Sequence, residues 1–425
     1  MVRLTRLRID RFRNVKPGTD LRFGPTFNVL LGKNATGKST LLDLIAAVTN
    51  DDLSTYAKED AGFDLTWWLE KGDASVEVRA VRTPTRSLAI LGEARDGNEF
   101  DDVWTAVIRT AGAERGRLEV AGTRGSWKPK GEPDESFEVS VALTGPGARL
   151  RGILAILIKY IWVNKKPVAL PKTPPAQAIS VAHSVLEHGN TGRFDEATST
   201  FEAITRSRVV MSSRTPRGLQ IIDPRVPSEL FTGAPISSEP LVFRFEDLPS
   251  LSEIPALIGF RSAELRPRLF RQVQPGAAAM AEYQGFDFLF RRADGSTISH
   301  ELLSFGQKRL FSFLWYFAVR REHPIVADEL LNGLHHEWIE ACFERLRDRQ
   351  SFLATQHPLL LDHIPIESAD SVRTTFVRCA VERDPEGGER LAWRNFDEEE
   401  AERFFIAYQT GIQQVSEVLR TEGLW

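Results

Sequence analysis

Cysteine is nearly missing from this 425-residue chain: only Cys342 and Cys379 occur, and their spacing fits no metal knuckle. A disulfide framework is thereby excluded, and a reducing compartment suits the pair. Long apolar runs are lacking too. The most apolar stretch, Gly152 to Val163, is twelve residues long and carries Lys159, whereas a membrane-spanning helix needs about 20 apolar residues. The opening MVRLTRLRIDRFRNV bears a charge every two or three positions and has no apolar h-region, so it does not read as a secretory leader. Sustained heptads are absent, which excludes a long coiled coil. A net charge of −4 supplies no global basic field for nucleic acid or an anionic membrane, though a local basic surface remains open. The expectation is a cytoplasmic protein without a membrane partner.

What is present is organised unevenly. Apolar residues make up 42% of the chain, enough for the cores of two or three domains. Residues 1–60 read as strand, turn, strand, glycine-rich loop and helix. Val2, Leu4, Leu7 and Ile9 pattern the first strand, TFNVLL runs up to Gly32, and STLLDLIAAV has helical spacing. Over 61–165, alternating runs such as FDLTWWLEKGDASVEVRAV predict an antiparallel β-rich arm, in which Trp67 and Trp68 are packing residues. NKKPVALPKTPP marks a boundary. Residues 166–284 then predict a mainly helical and irregular insert with two arginine clusters: Arg206, Arg208, Arg214 and Arg217, followed by Arg261, Arg266, Arg268 and Arg271. These are either solvated faces or phosphate-backbone contacts. Over 285–425 the spacing predicts a hairpin turning at Asp294-Gly295, a long apolar helix, the strand PIVADE, a helix near 335–348, the strand SFLATQ and one C-terminal helix from about 398 to 419. The last helix gathers Ala401, Phe404, Phe405, Tyr408, Ile412, Val415 and Leu419 on one face.

The strongest motif is Gly32-Lys33-Asn34-Ala35-Thr36-Gly37-Lys38-Ser39, followed by Thr40. It satisfies G-x-x-x-x-G-K-[ST] with an apolar strand before it and a helix after. Glycines let backbone N–H groups close around phosphate, and the helix N-terminus adds a favourable dipole. ATP is the expected ligand, with Lys38 on the β- and γ-phosphates and the Ser39 hydroxyl on Mg²⁺. HPIVADE is the matching acidic strand end: Asp328 is expected at the metal and Glu329 as general base on the attacking water.

Ser304-Phe305-Gly306-Gln307-Lys308 opens the long apolar helix roughly twenty residues before the acidic strand. In residues and spacing it resembles the signature motif of ABC-type ATPases. Ser304 caps the helix, Gly306 permits close approach, and the helix N-terminus offers a second anion site. The resemblance implies that Ser304, Gly306, Gln307 and Lys308 hold the γ-phosphate of an ATP bound to a partner protomer. Two ATP molecules are then sandwiched in a head-to-tail homodimer, or in a higher oligomer built from such pairs.

The opening LTRLRIDRFRNV…FNVLLGKNATGKSTLLDLI is similar to RecF, SMC and OLD-type ATPases rather than to transporter subunits. Phe12-Arg13-Asn14 matches an aromatic-Arg-Asn/Ser step that lies near the nucleotide in that group. Arg13 and Asn14 are therefore candidate contacts, with Arg13 equally readable as a surface residue. DELLNGLHH resembles the D-E-x-x-N-G-L-H pattern of the OLD/RecF-like group and places His335 as either a relay to the partner or a helix cap. Two departures stand out. No glutamine occurs between Thr40 and Gln177, so the family's metal-contacting glutamine loop has no counterpart. FLATQHPLLLD puts Gln356 at the switch-histidine position and His357 one step later, and either is a candidate γ-phosphate sensor.

The resemblance covers 1–50 and 285–425. It implies an α/β fold, a P-loop NTPase of ABC type with a mixed sheet flanked by helices, split by the β-rich arm and the helical insert. It also implies an ATPase of slow or conditional turnover. No carboxylate cluster of the kind found in appended nuclease domains follows residue 370. The expected role is an ATPase subunit gating a separately encoded nuclease or toxin, as in bacterial anti-phage modules of the Septu, retron and PARIS types. The alternatives are a RecF-like DNA-repair clamp, using the arginine clusters on duplex DNA, and an ATP-locked oligomeric scaffold with little turnover.

Overall fold

Short alternating runs form many of the described strands, and the strands assemble into three sheets. The computed structural model describes residues 1–49, 61–84, 100–138 except 122, 123 and 132, 193–194, 199–212, 219–222, 226–231, 240–273, 280–320, 323–355, 361–410 and 414–421, with Leu53, Tyr56 and Glu59. Two compact units emerge: Met1–Leu186 with Glu322–Val326 and Arg349–Trp425, and Glu187–Arg321 with Ala327–Asp348.

The first unit holds an antiparallel eight-stranded sheet. Its spatial order is Thr19–Arg22, Arg3–Phe12, Phe63–Lys71, Ala74–Pro84, Phe100–Thr110, Ala113–Ala121, Arg124–Pro129 and Glu135–Glu138. Phe63–Lys71 pairs along the whole of Arg3–Phe12. The expected division at residue 60 therefore falls inside one sheet, and the β-rich region extends the first lobe instead of standing off as an arm. Trp67 is fully buried edge-on to Trp104 at 6.2 Å, while Trp68 carries the Arg6 guanidinium 4.5 Å from its ring. Both tryptophans pack.

The second sheet of this unit positions the glycine-rich loop. Its order is Ile325–Asp328, Ser351–Ala354, Phe27–Leu31, Phe376–Arg383 and Glu389–Asn395. Phe27–Leu31 runs parallel to both neighbours and is buried at every position, which explains its unbroken apolar run. The helix Lys38–Thr49 buries Leu41, Leu42, Leu44, Ile45 and Val48 in one cluster with Phe352, Ala354 and Val377.

Two buried amides tie segments of this unit together. Gln350 accepts from the Leu4 N–H and donates to the Leu4 and Gly24 carbonyls, each at 2.8 Å. Asn28 accepts from the Gly24 N–H at 2.7 Å and donates to the Ser351 carbonyl at 3.2 Å. Replacing Gln350 by Leu strands one buried donor and weakens two acceptors, so it is expected to destabilise the fold by about 2–4 kcal/mol. Denaturant titration checks this, and a loss below about 0.5 kcal/mol would contradict the role assigned to the amide.

The C-terminal segment forms two helices, Glu398–Gln409 and Val415–Thr421, rather than one. The first ends at Gln409, with Thr410 as its C-cap. Its Phe404 packs on Phe376 and Phe396 at 5.4 and 6.2 Å. No described helix is long and apolar enough to cross a membrane.

The second unit is built on a sheet ordered Leu219–Ile222, Arg208–Ser212, Met280–Arg291, Ser262–Val273 and Phe243–Arg244. Thr297–Ser299 pairs with Met280–Arg291 across the expected Asp294-Gly295 turn. The described part of 166–284 is thus mainly β, not mainly helical. Pro267 obscures the pattern, since it sits beside a register shift that tolerates a residue without an N–H. Glu264 and Arg266 obscure it further by filling the positions between buried Ala263, Leu265 and Pro267. Most of the stretch expected to be helical, through residue 192, lies outside the described residues.

The long helix is Phe305–Val319. An aromatic cluster seats it: Phe311 and Trp315 lie 5.0 and 5.5 Å from the Phe288 ring.

Candidate nucleotide site

Strand geometry delivers the glycine-rich loop. The last residue of the strand, Leu31, leads into Gly32, and the helix begins at Lys38. Gly32 has φ +154°, and a Cβ there would collide with the Cys379 carbonyl oxygen and come within 2.8 Å of the Thr36 hydroxyl. At Gly37, φ +81°, a Cβ would meet Leu391 at 2.8 Å and Trp393 at 3.0 Å. The Trp393 indole N–H also donates to the Thr36 carbonyl at 3.1 Å. The loop is therefore clamped from behind by two strands of its own sheet. Burial pushes the Cys379 thiol up to about 12, so this cysteine contributes its backbone and not a thiolate.

Lys38 is 9% exposed, and its ammonium donates to the Gly32 and Lys33 carbonyls at 2.7 and 2.9 Å. Thr36 donates to the Lys33 carbonyl at 2.8 Å. Lys33, Asn34, Ala35 and Ser39 are exposed, Thr40 is half-buried, and Ala35 holds φ +64°. A loop with two positions closed to side chains and an ammonium at its rim fits a polyphosphate. The exposed Ser39 hydroxyl is an oxygen donor of the kind a hard cation such as Mg²⁺ takes.

The structure places Arg13 on Glu59, in a two-pronged ion pair with contacts of 2.5 and 3.0 Å, and against the rings of Phe12 and Tyr56. The Glu59 carboxylate raises the pKa of Arg13 above its ordinary value. Asn14 donates to the Glu389 carbonyl at 3.3 Å, and its own carbonyl accepts from Leu391 at 2.9 Å. Both residues thus have structural partners within the first unit.

In the second unit, Ser304 caps the helix Phe305–Val319 through a reciprocal box. Its hydroxyl accepts from the Gln307 N–H at 3.3 Å, and Gln307 Oε1 accepts from the Ser304 N–H at 3.0 Å. The Gln307 amide donates to the Ile258 carbonyl at 2.9 Å, and Lys308 donates to the Glu301 carbonyl at 3.1 Å. Gly306 has no room for a side chain, with Trp338 and the Gly333 carbonyl at 2.9 and 3.0 Å from a built Cβ. Leu302 and Phe305, on either side of Ser304, are 73% and 51% exposed.

Asp328 ends its strand with the Arg193 guanidinium 3.3 Å away. Glu329 follows at φ +49°, a left-handed conformation uncommon for a non-glycine residue. His335 precedes the helix His336–Leu346 without a side-chain cap bond, its ring 6.5 Å from Trp338.

Gln356 and His357 lie outside the described residues, as do Arg214 and Arg217. Four of the other clustered arginines face carboxylates: Arg206 on Glu202, Arg208 on Glu282, Arg266 on Glu264 and Arg268 on Asp287, at 3.5, 2.7, 2.9 and 3.7 Å. Sequence reasoning missed Arg193, Arg309 and Trp393. Arg309 had a signal, as a charged side chain inside an apolar helix; the other two had none within reach of local pattern. Among the described residues no group of three or more His, Cys, Asp and Glu could hold a metal ion.

A buried parallel strand feeding such a loop into a helix defines a P-loop NTPase. A family model described as "AAA domain, putative AbiEii toxin, Type IV TA system" matches residues 27–362. The chain belongs to that family of P-loop ATPases. Over 112 residues it is 32% identical to the DNA replication and repair protein RecF of Haemophilus influenzae strain 86-028NP, a stretch that is 24% of this chain and 30% of the relative. RecF of the KW20 / Rd strain is 31% identical over the same length and shares. The chain thus spans under a third of the curated relatives it matches. An SMC head domain from Thermotoga maritima overlays 93% of this chain and 99% of its own, at 12% identity and a TM-score of 0.36. An SMC head from Pyrococcus furiosus, bound to the C-terminal domain of ScpA, covers 96% and 100% at 11% identity and a TM-score of 0.37. Overlays this loose assign nothing further.

Proposed function

We propose that this chain hydrolyses ATP slowly, closes head-to-tail on a second copy of itself around the nucleotide, and in doing so gates a separately encoded effector, a nuclease or toxin. Backbone groups of Gly32–Thr40 and the Lys38 ammonium hold the phosphates, with Arg13 and Asn14 flanking. Ser39 and Asp328 are the ligands assigned to Mg²⁺, which supplies charge neutralisation on the phosphate oxygens. Glu329 takes a proton from the attacking water, and Gln356 or His357 senses the γ-phosphate. Ser304, Gly306, Gln307 and Lys308 come from the partner protomer. Catalysis is positional and electrostatic.

The observation that carries this reading is the exposed mouth of the helix Phe305–Val319. Its first turn keeps the N–H groups of Phe305 and Gly306 without intrahelical acceptors, the Gln307 N–H being held by the Ser304 hydroxyl, and exposed Leu302 and Phe305 frame the Ser304 cap. An apolar rim around an anion-seeking helix end suits a protein surface closing over phosphate. The family's description links this kind of domain to a toxin system.

Light scattering tests the pair. Glu329→Gln with Mg·ATP is expected to double its mass from 47.8 kDa, ADP to leave it single, and Ser304→Arg to abolish the gain. A mass indifferent to nucleotide and to Ser304→Arg would overturn the switch and favour a constitutive scaffold. A DNA-repair role, drawn from the RecF likeness, is the second reading. The carboxylates already facing four of the clustered arginines weaken it. Steep salt-dependent duplex binding, stimulated by ATP, would restore it.

A further inference from the structure

We infer that Arg309 is a positioning residue that ties the signature helix to the turn carrying Glu329, so that engagement of phosphate at Ser304 sets the water-activating carboxylate in the same protomer. This deepens the proposed function and rests on the roles given there to Ser304 and Glu329.

Arg309 lies five residues after Ser304 on the same helix and is 5% exposed. Its Nη2 donates to the Glu329 carbonyl at 2.5 Å. That carbonyl also accepts from the Asn332 N–H at 3.3 Å, which closes the turn toward Gly333. The guanidinium stacks 4.9 Å from the Phe194 ring centroid. Phe194 itself is fixed on the acidic strand: it bridges Ala327 in parallel, and its carbonyl accepts from the Asp328 N–H at 2.8 Å. Its ring meets Phe313 of the same helix edge-on at 5.5 Å.

A second contact lies one turn earlier. The Phe305 ring covers Gly333, where a Cβ would collide with it, and Gly306 sits against the Gly333 carbonyl. The helix therefore grips the turn at two points, Phe305–Gly306 on Gly333 and Arg309 on Glu329. Between them Glu329 is held at φ +49°, a backbone state that persists when its surroundings over-determine it. A helix is stiff over five residues, so a displacement at Ser304 reaches the Glu329 backbone through Arg309 with little loss. Lysine offers the charge without the planar fork. Methionine offers the length without a donor.

The test uses the full chain with Arg309→Met and Arg309→Lys. Arg309→Met is expected to lower kcat about 10- to 100-fold while KM and the Kd for a fluorescent ATP analogue move less than about threefold. Arg309→Lys is expected to recover part of kcat, and it carries the test if Arg309→Met does not fold. In a Glu329→Gln background Arg309→Met is expected to cost nothing more. Arg309→Met alone is also expected to accumulate the ATP-associated pair in light scattering, a gain that a merely destabilised protein would not show. Unchanged kcat in Arg309→Met, or an equal loss in both backgrounds, overturns the link. Wild-type turnover in Glu329→Gln overturns instead the role given to Glu329.

Discussion

Replacing Lys38 by alanine is expected to weaken ATP binding about 100-fold and to reduce turnover below detection. Two losses combine. The ammonium is a buried positive charge at the loop, and charge-assisted hydrogen bonds to phosphate are among the strongest single contacts a side chain can make. It is also a structural pin, because its bonds to the Gly32 and Lys33 carbonyls hold the first half of the loop to its last turn. Titration with a fluorescent ATP analogue and a phosphate-release assay read the two effects. A thermal melt run alongside separates them from unfolding, which matters for a residue this buried. Binding within about threefold of wild type would mean that the loop does not cradle a triphosphate.

The second large effect is expected at Gly32. Gly32→Ala drives a methyl group into the Cys379 carbonyl oxygen, and the strand behind it cannot retreat, since Arg378 is paired in register with Leu31. A cost of about 3 kcal/mol or more is expected, measured by denaturant titration, together with loss of nucleotide binding. Gly72→Ala is the control. Gly72 also has a left-handed φ, +63°, yet nothing lies within 4 Å of a Cβ there, so only the conformational penalty of about 1 kcal/mol applies. Equal losses at the two positions would show that the back of the loop has slack.

Both effects concern residues readable from sequence because their geometry is local. Eight consecutive positions define the loop, and the Ser304–Gln307 box closes over three residues. The Asp294-Gly295 hairpin was legible on the same ground. Contacts made by distant segments were not. Nothing near Arg13 announces Glu59 as its partner, nothing near Asp328 announces Arg193, and Trp393 braces Thr36 across 357 positions. The merging of Phe63–Lys71 with Arg3–Phe12 escaped notice for a similar reason, since alternation marks a strand without naming its neighbour. The strand Ser262–Val273 was hidden differently: four arginines at or beside it and Pro267 mimic an irregular charged segment, although the buried residues alternate beneath them.

The parallel placement of Phe27–Leu31 between Ser351–Ala354 and Phe376–Arg383 has a consequence for how the protein comes into being. A ribosome adding about 5–20 residues per second needs roughly 20–70 s to travel from the end of the loop's strand to the end of its last parallel partner. Throughout that interval the nucleotide motif exists as sequence but has no sheet to hold it. Leu4 likewise waits for Gln350. A chain broken off in its first 350 residues carries every letter of the motif and none of the cradle. The backing that holds the loop is therefore assembled late in synthesis, once Phe376–Arg383 has emerged.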